Sequence, residues 1–313
     1  MDEMPKANAE QELPQDKRKR QIRDASLWIE TNVGKYENQD LTANGIELYS
    51  DEPLDASDIE HIIEIKKSLD TSRQAGATAR VVILCKENWS RFTSEIGGRS
   101  QELNGSSEEY PIVPEDVTPF VVLPSSDVFK ENTFYGKLYK LGVEMRELID
   151  SDNATGSVET YRNVYLRNVL SHELAHLYQF SNKEKGAILE SDEAGYSEKN
   201  NLLSAREFIA VAFGIYQMRK GDLKYRDAFL DASKAVVESA ELKNEYVKEQ
   251  ARRTLDAEAF IEAVGAGDIE RAFKAMHEIL QSDDKEKKGA LQENISLARK
   301  GEIGYDAILN TAT

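Results

Sequence analysis

YRNVYLRNVLSHELAHLYQF (Tyr161–Phe180) is the stretch whose reading decides this 313-residue chain. Its apolar residues Val164, Tyr165, Leu166, Val169, Leu170, Leu174, Leu177, Tyr178 and Phe180 recur mostly at intervals of three and four. With no Pro or Gly to interrupt them, that spacing predicts one largely buried helix. Within it lies His172-Glu173-Leu174-Ala175-His176, an H-E-x-x-H pattern. Residues four apart share a helix face, so both imidazoles can address one metal ion. Glu173 is one position along, where it would take the proton from a metal-bound water attacking a carbonyl. The histidines are His61, His172, His176 and His277 and no others, so the spacing is informative in itself. The competing reading is a pair that merely packs.

A catalytic zinc site takes three protein ligands and keeps the fourth position for water. No other histidine lies close downstream, so the third ligand is sought among carboxylates. Ser204–Tyr216 reads as a second buried helix, and Glu207 is the one acid in its apolar run. Glu207 is the candidate ligand; an acid near a helix start also suits the helix dipole, which is its other reading. Glu190, Asp192 and Glu193 are rivals in a polar, Gly-containing stretch that reads as a solvated loop.

These residues resemble a family. His172-Glu173-x-x-His176 followed by Glu207-x-x-Ala210 on a second helix resembles the gluzincin metallopeptidases. Glu207, Phe208, Ala210, Ala212 and Phe213 match the Glu-aromatic-x-Ala-x-Ala-Phe pattern of the lethal-factor-type catalytic domains of bacterial toxins and related secreted peptidases. The resemblance covers about Tyr161 to Tyr216. It implies a zincin-like fold and a zinc cofactor held by His172, His176 and Glu207, with Glu173 as general base in peptide hydrolysis. It also implies an oxyanion-stabilising Tyr ahead of the glutamate. Tyr196, followed by Ser197-Glu198-Lys199-Asn200-Asn201, is the candidate, although it stands several residues farther from Glu207 than the family's spacing; an ordinary loop aromatic is its other reading. An acid is expected to fix the tautomers of the ligand imidazoles.

Composition bounds the partners. The formal net charge is −17, and mean hydropathy is −0.57. Such a balance argues against nucleic acid and anionic membranes as partners, and the run Lys17-Arg18-Lys19-Arg20 reads as a solvated helix start or tail. A protein or peptide substrate is the expected partner. The single cysteine, Cys85, closes an apolar run and reads as a packed thiol. Met1–Arg23 has no apolar core of a cleaved signal, and no segment reaches transmembrane length. The protein is therefore expected to be cytoplasmic as made; the toxin resemblance implies delivery to another cell without a cleaved signal peptide.

The expected organisation is a disordered or loosely helical tail (1–22), a zincin-like metallopeptidase domain (23–220) and a helical C-terminal module (221–313). Helices are predicted at Asp24–Lys35, Asp55–Ser72 and Tyr135–Asp150, with His61 partly exposed on the second. Strands are predicted at Gly45–Ser50, Ala79–Cys85 and Pro119–Pro124, with loops at Gly97–Ser107 and Asp152–Ser157. Breaks at Gly265-Ala266-Gly267 and near Gly301 divide the helical module. The fold class is thus α+β: a small sheet packed with the H-E-x-x-H helix and the glutamate helix, then an all-helical module. The expected function is that of a zinc metallopeptidase. The rival is a non-catalytic or regulatory protein that binds a partner through its C-terminal helices, and a third reading is hydrolysis of a non-peptide amide.

Overall fold

The computed structural model describes residues 14–69, 78–95, 114, 116–125, 165–179, 196–221, 223–239, 245–265 and 267–312. The helix expected over Tyr135–Asp150, the loops at Gly97–Ser107 and Asp152–Ser157, and the rival acids Glu190, Asp192 and Glu193 lie outside the described residues.

The architecture is α+β, mostly helical, around a three-stranded parallel sheet of order β1-β2-β3. The strands are β1 (Ile46–Ser50), β2 (Ala79–Leu84) and β3 (Phe120–Pro124), with Leu48 opposite Val81 and Val81 opposite Val121. Parallel neighbours need a crossover, and α3 (Ala56–Leu69) supplies the one from β1 to β2. The β-branched run of β2 is buried at every position, as a central strand covered on both faces must be. Val81 and Ile83 point into the larger core, while Val82 and Leu84 point into a second one. The strand ends at Leu84, so Cys85 is half-buried just past it rather than packed within it.

The second core is closed by α1 (Pro14–Asn32), through Ile22, Ala25, Trp28 and Ile29, and by Phe92 of α4 (Lys86–Glu95). Part of the expected tail is therefore helix, starting at Pro14 rather than near Asp24. Pro suits the first helical turn, where its missing N–H is no loss, and Ile22 has a core to enter. Arg80 of β2, 5% exposed, fastens this layer: it pairs with Glu30 and Glu47 at 2.8 Å and donates to Ser26 Oγ at 2.8 Å. Partners on every side offset the cost of burying its charge.

The second half of the chain is helical: α5 (Ser171–Tyr178), α6 (Tyr196–Arg219), α7 (Leu223–Glu238), α8 (Glu245–Val264), α9 (Ile269–Gln281), α10 (Lys285–Arg299) and α11 (Asp306–Ala312). From Ala205 to Met218 every residue of α6 except Glu207 is buried, which makes it the central helix. Its Phe208 and Phe213 meet Phe260 of α8 and Phe273 of α9 edge-on, at centroid distances of 5.8 and 5.3 Å. The helices beyond residue 221 thus share one hydrophobic cluster with α5 and α6. Gly265 (φ 78°) and Gly301 (φ 73°) end α8 and α10 in the left-handed conformation, where the sequence predicted breaks. At Gly301 the stop is a Schellman motif, with Gly301 N–H on Ala298 O and Glu302 N–H on Leu297 O.

His61 of α3 is 5% exposed, deeper than its polar neighbours suggested. Burial pushes its imidazole down to about 4, Arg167 and Lys220 push the same way, and Glu64 opposes them. An unfolded histidine titrates near 6.5, so between those values the unfolded chain binds a proton that the folded one excludes. Above about 6.5 both forms are neutral and nothing is lost; as pH falls toward 4 the fold loses up to about 3 kcal/mol. Urea unfolding at neutral and mildly acidic pH should show this loss, and His61→Gln should remove about that much of the difference. An identical pH response in the variant would refute the assignment.

Candidate metal centre

The approach to the His172–His176 pair differs from the single α-helix expected. Tyr165–Leu170 winds as a π-helix and passes directly into α5. This wider turn sits against Gly214 of α6 and against Gly221 just beyond its end. A Cβ on Gly214 would stand 3.0 Å from the Asn168 carbonyl oxygen and nearer still to Asn168 Oδ1. One on Gly221 would stand 2.7 Å from Arg167 Cδ and Nε. Ser171 Oγ donates to the Arg167 carbonyl at 2.7 Å, holding the junction between the two windings. In a helix interior Gly→Ala ordinarily gains up to about 1 kcal/mol. Gly214→Ala is expected to do the opposite and destabilise by about 1–3 kcal/mol, the cost of overpacking, read as a lower urea midpoint. A stabilised variant would show that the π-helix does not depend on this contact.

The structure brings His172, His176 and Glu207 together. Their ligand atoms all lie within 4.8 Å of one another, across two helices. The separations are 3.0 Å between the two Nε2 atoms, 3.3 Å from His176 Nε2 to Glu207 Oε1, and 3.7 Å from His172 Nε2 to Glu207 Oε2. Donors each 2.0–2.2 Å from one tetrahedral zinc ion stand about 3.3–3.5 Å apart. The observed separations are of that order, with the two Glu207 contacts made by different oxygens, so the cluster could hold a zinc ion. The rings are nearly perpendicular (83°), which lets both Nε2 lone pairs converge. The His172 and His176 side chains are 8% and 4% exposed, whereas Glu207 keeps 23% and is the member of the cluster that reaches solvent.

The titratable groups of the cluster act strongly on one another. Burial pushes the His172 imidazole down to about 3, the His176 charge adds to this, and Glu207 opposes it. The neutral imidazole is the form that binds a metal. Burial lowers His176 too, but the Glu207 carboxylate, Glu173 and Gln179 outweigh it and the imidazole is raised. Glu207 is correspondingly lowered, against its own burial, by His176 and His172. Glu173 is 4% exposed, and its Oε2 has no hydrogen-bond partner among the described residues. Burial raises it to about 7, Glu207 adds to this, and His176 opposes it. A carboxylate poised near neutrality can both take and return a proton.

Other expectations fare differently. Tyr196 opens α6, so the loop expected around it is helix. At 1.5 Å of rise per residue its Cα lies about 16 Å along the axis from Glu207. The acid expected to fix a ligand imidazole is, at His176, an amide. Gln179 Oε1 lies 3.0 Å from His176 Nδ1, and Gln179 Nε2 donates to the Arg206 carbonyl at 2.9 Å. Two further glutamines from the C-terminal helices reach the ligand-bearing helices: Gln281 Nε2 donates to the Tyr178 carbonyl, and Gln292 Oε1 accepts from Ala205 N–H at 3.2 Å. No sequence signal marks these three, because each serves a backbone group far away along the chain. His277, 1% exposed, hydrogen-bonds the Phe273 carbonyl at 2.7 Å and packs edge-on to Phe213; it is not a member of the ligand set.

Comparison with protein-family models, curated proteins and solved structures finds no match to this chain. Among the described residues, no helix is long and apolar enough to cross a membrane.

Proposed function

We propose that this chain is a zinc-dependent metallopeptidase of gluzincin type, with a zincin-like catalytic unit, acting as an endopeptidase on a protein or peptide. The observation that carries the reading is the convergence of His172, His176 and Glu207 within 4.8 Å, with the buried Glu173 beside them. His172, His176 and Glu207 would hold the ion, which supplies Lewis acidity and lowers the pKa of water at the site. Glu173 accepts the proton of the attacking water and returns it to the leaving amine. Its near-complete burial keeps the carboxylate away from bulk water until substrate chemistry uses it. Tyr196 is left out of the proposal, given its distance along α6. The helices after residue 221 turn apolar faces onto α6, which supports a bracing role for them.

Hydrolysis of a peptide library by the zinc-loaded protein tests the proposal. Cleavage within chains should be lost on chelation and restored by zinc. A protein that binds zinc but cleaves no peptide, yet hydrolyses small amides, would move the assignment to an amidase. Uptake of no divalent metal at all would overturn it and favour partner binding through the C-terminal helices.

A further inference from the structure

We infer that Gln179 is a positioning residue for the metal centre: it sets the tautomer of His176 and ties the metal-binding helix to the glutamate helix. The inference rests on the metal-centre reading above.

A chain of donors and acceptors fixes the orientation of the Gln179 amide. The Arg206 carbonyl can only accept, so the Gln179 group 2.9 Å from it must be the amide nitrogen. Gln179 Oε1 therefore faces His176 Nδ1 at 3.0 Å, and that nitrogen must carry a hydrogen. With Nδ1 protonated, the lone pair of a neutral His176 is on Nε2, which points at His172 Nε2 and Glu207. Flipping the amide would set its oxygen against the Arg206 carbonyl. Gln179 is 0% exposed, so water is not at hand to repair the loss, which costs roughly 1–3 kcal/mol for a buried unsatisfied group. The backbone cooperates: Gln179 caps α5, its N–H on the His176 carbonyl at 3.2 Å, which brings its side chain back beside the imidazole.

The same side chain spans the two ligand-bearing elements. Arg206 immediately precedes Glu207, so one amide references His176 and the backbone beside Glu207 to each other. A neutral amide also suits the place. A carboxylate would hold Nδ1–H equally well but would add a third negative charge to a buried cluster that already contains Glu173 and Glu207.

The test compares zinc affinity of the wild-type chain, Gln179→Leu and Gln179→Glu by chelator competition, with far-ultraviolet circular dichroism to verify folding. Gln179→Leu should weaken zinc binding by roughly 10–100-fold, the usual cost of losing an outer hydrogen-bond partner. Gln179→Glu keeps an acceptor for Nδ1 but loses the donor to Arg206, and should recover part of that loss. A role in helix packing alone predicts the reverse order, since Glu removes the donor to Arg206 and buries a charge; that order would overturn the inference. Nitrogen-15 spectra of histidine-labelled, zinc-loaded wild-type protein should show His176 with a solvent-protected proton on Nδ1. Metal on Nδ1 would overturn the inference even if Gln179→Leu does not fold. If the wild-type chain binds no zinc, the metal-centre reading falls and takes this one with it. If it binds zinc and Gln179→Leu matches it, Gln179 falls alone.

Discussion

His172→Ala is expected to abolish stoichiometric zinc binding, and Glu207→Ala to do the same. Each variant removes one of three side chains whose candidate ligand atoms lie within 4.8 Å of one another on two different helices. Two remaining donors leave the ion half-coordinated by the protein, so the loss should exceed the roughly 10–100-fold set by an outer partner such as Gln179. Mass spectrometry of zinc-loaded, dialysed protein should find about one ion per chain for wild type and none for either variant. The Glu207 arm is the more discriminating, because its carboxylate arrives from a separate helix. Zinc retained in Glu207→Ala but lost in His172→Ala would mean that another acid completes the site. Zinc retained in both would remove the basis of the proposed chemistry.

Glu173→Gln is expected to separate binding from catalysis. The amide keeps the shape of the side chain in its buried position but cannot accept a proton. Zinc content should match wild type, while peptide hydrolysis falls by roughly 10²–10⁴-fold, the usual contribution of a positioned general base. The isosteric change also avoids a cavity beside the two histidines, so a loss of activity cannot be ascribed to collapse. Undiminished hydrolysis in this variant would assign proton transfer to a different group, and a loss of zinc would make Glu173 part of the binding set.

Those expectations rest on features the sequence displays unequally. The H-E-x-x-H spacing and the lone acid in an apolar helix are local patterns, so His172, His176 and Glu207 could be singled out before any contact was seen. The β-branched run at Val81 and the glycines at 265 and 301 are local as well, and the strand and helix stops fall where they were expected. What escaped notice is long-range. Gln179 is an unremarked polar residue at a helix end until the Arg206 carbonyl, 27 positions on, is placed beside it. The π-helix has the same apolar spacing as an α-helix over so few residues; its partner is the absence of a side chain at Gly214. His61 was expected to be partly exposed, yet its face of α3 is shared with Ile62 and Ile65 in the core. Polar residues likewise hid the first turns of α6, whose helical winding began at Tyr196.

The C-terminal helices do more than cover α6. Gln281 holds the end of the metal-binding helix, Gln292 holds α6 two residues before Glu207, and Leu291, Ile295 and Ile308 belong to the same core as Leu174 and Phe208. A chain leaving the ribosome therefore carries His172, His176 and Glu207 long before the helices that brace them are made. During synthesis the histidines and the glutamate are out of the tunnel while their braces are still being made. If the proposed metal centre is right, the ion would be held only once Gln281 and Gln292 are in place, so metal capture would be a late step in the making of the protein.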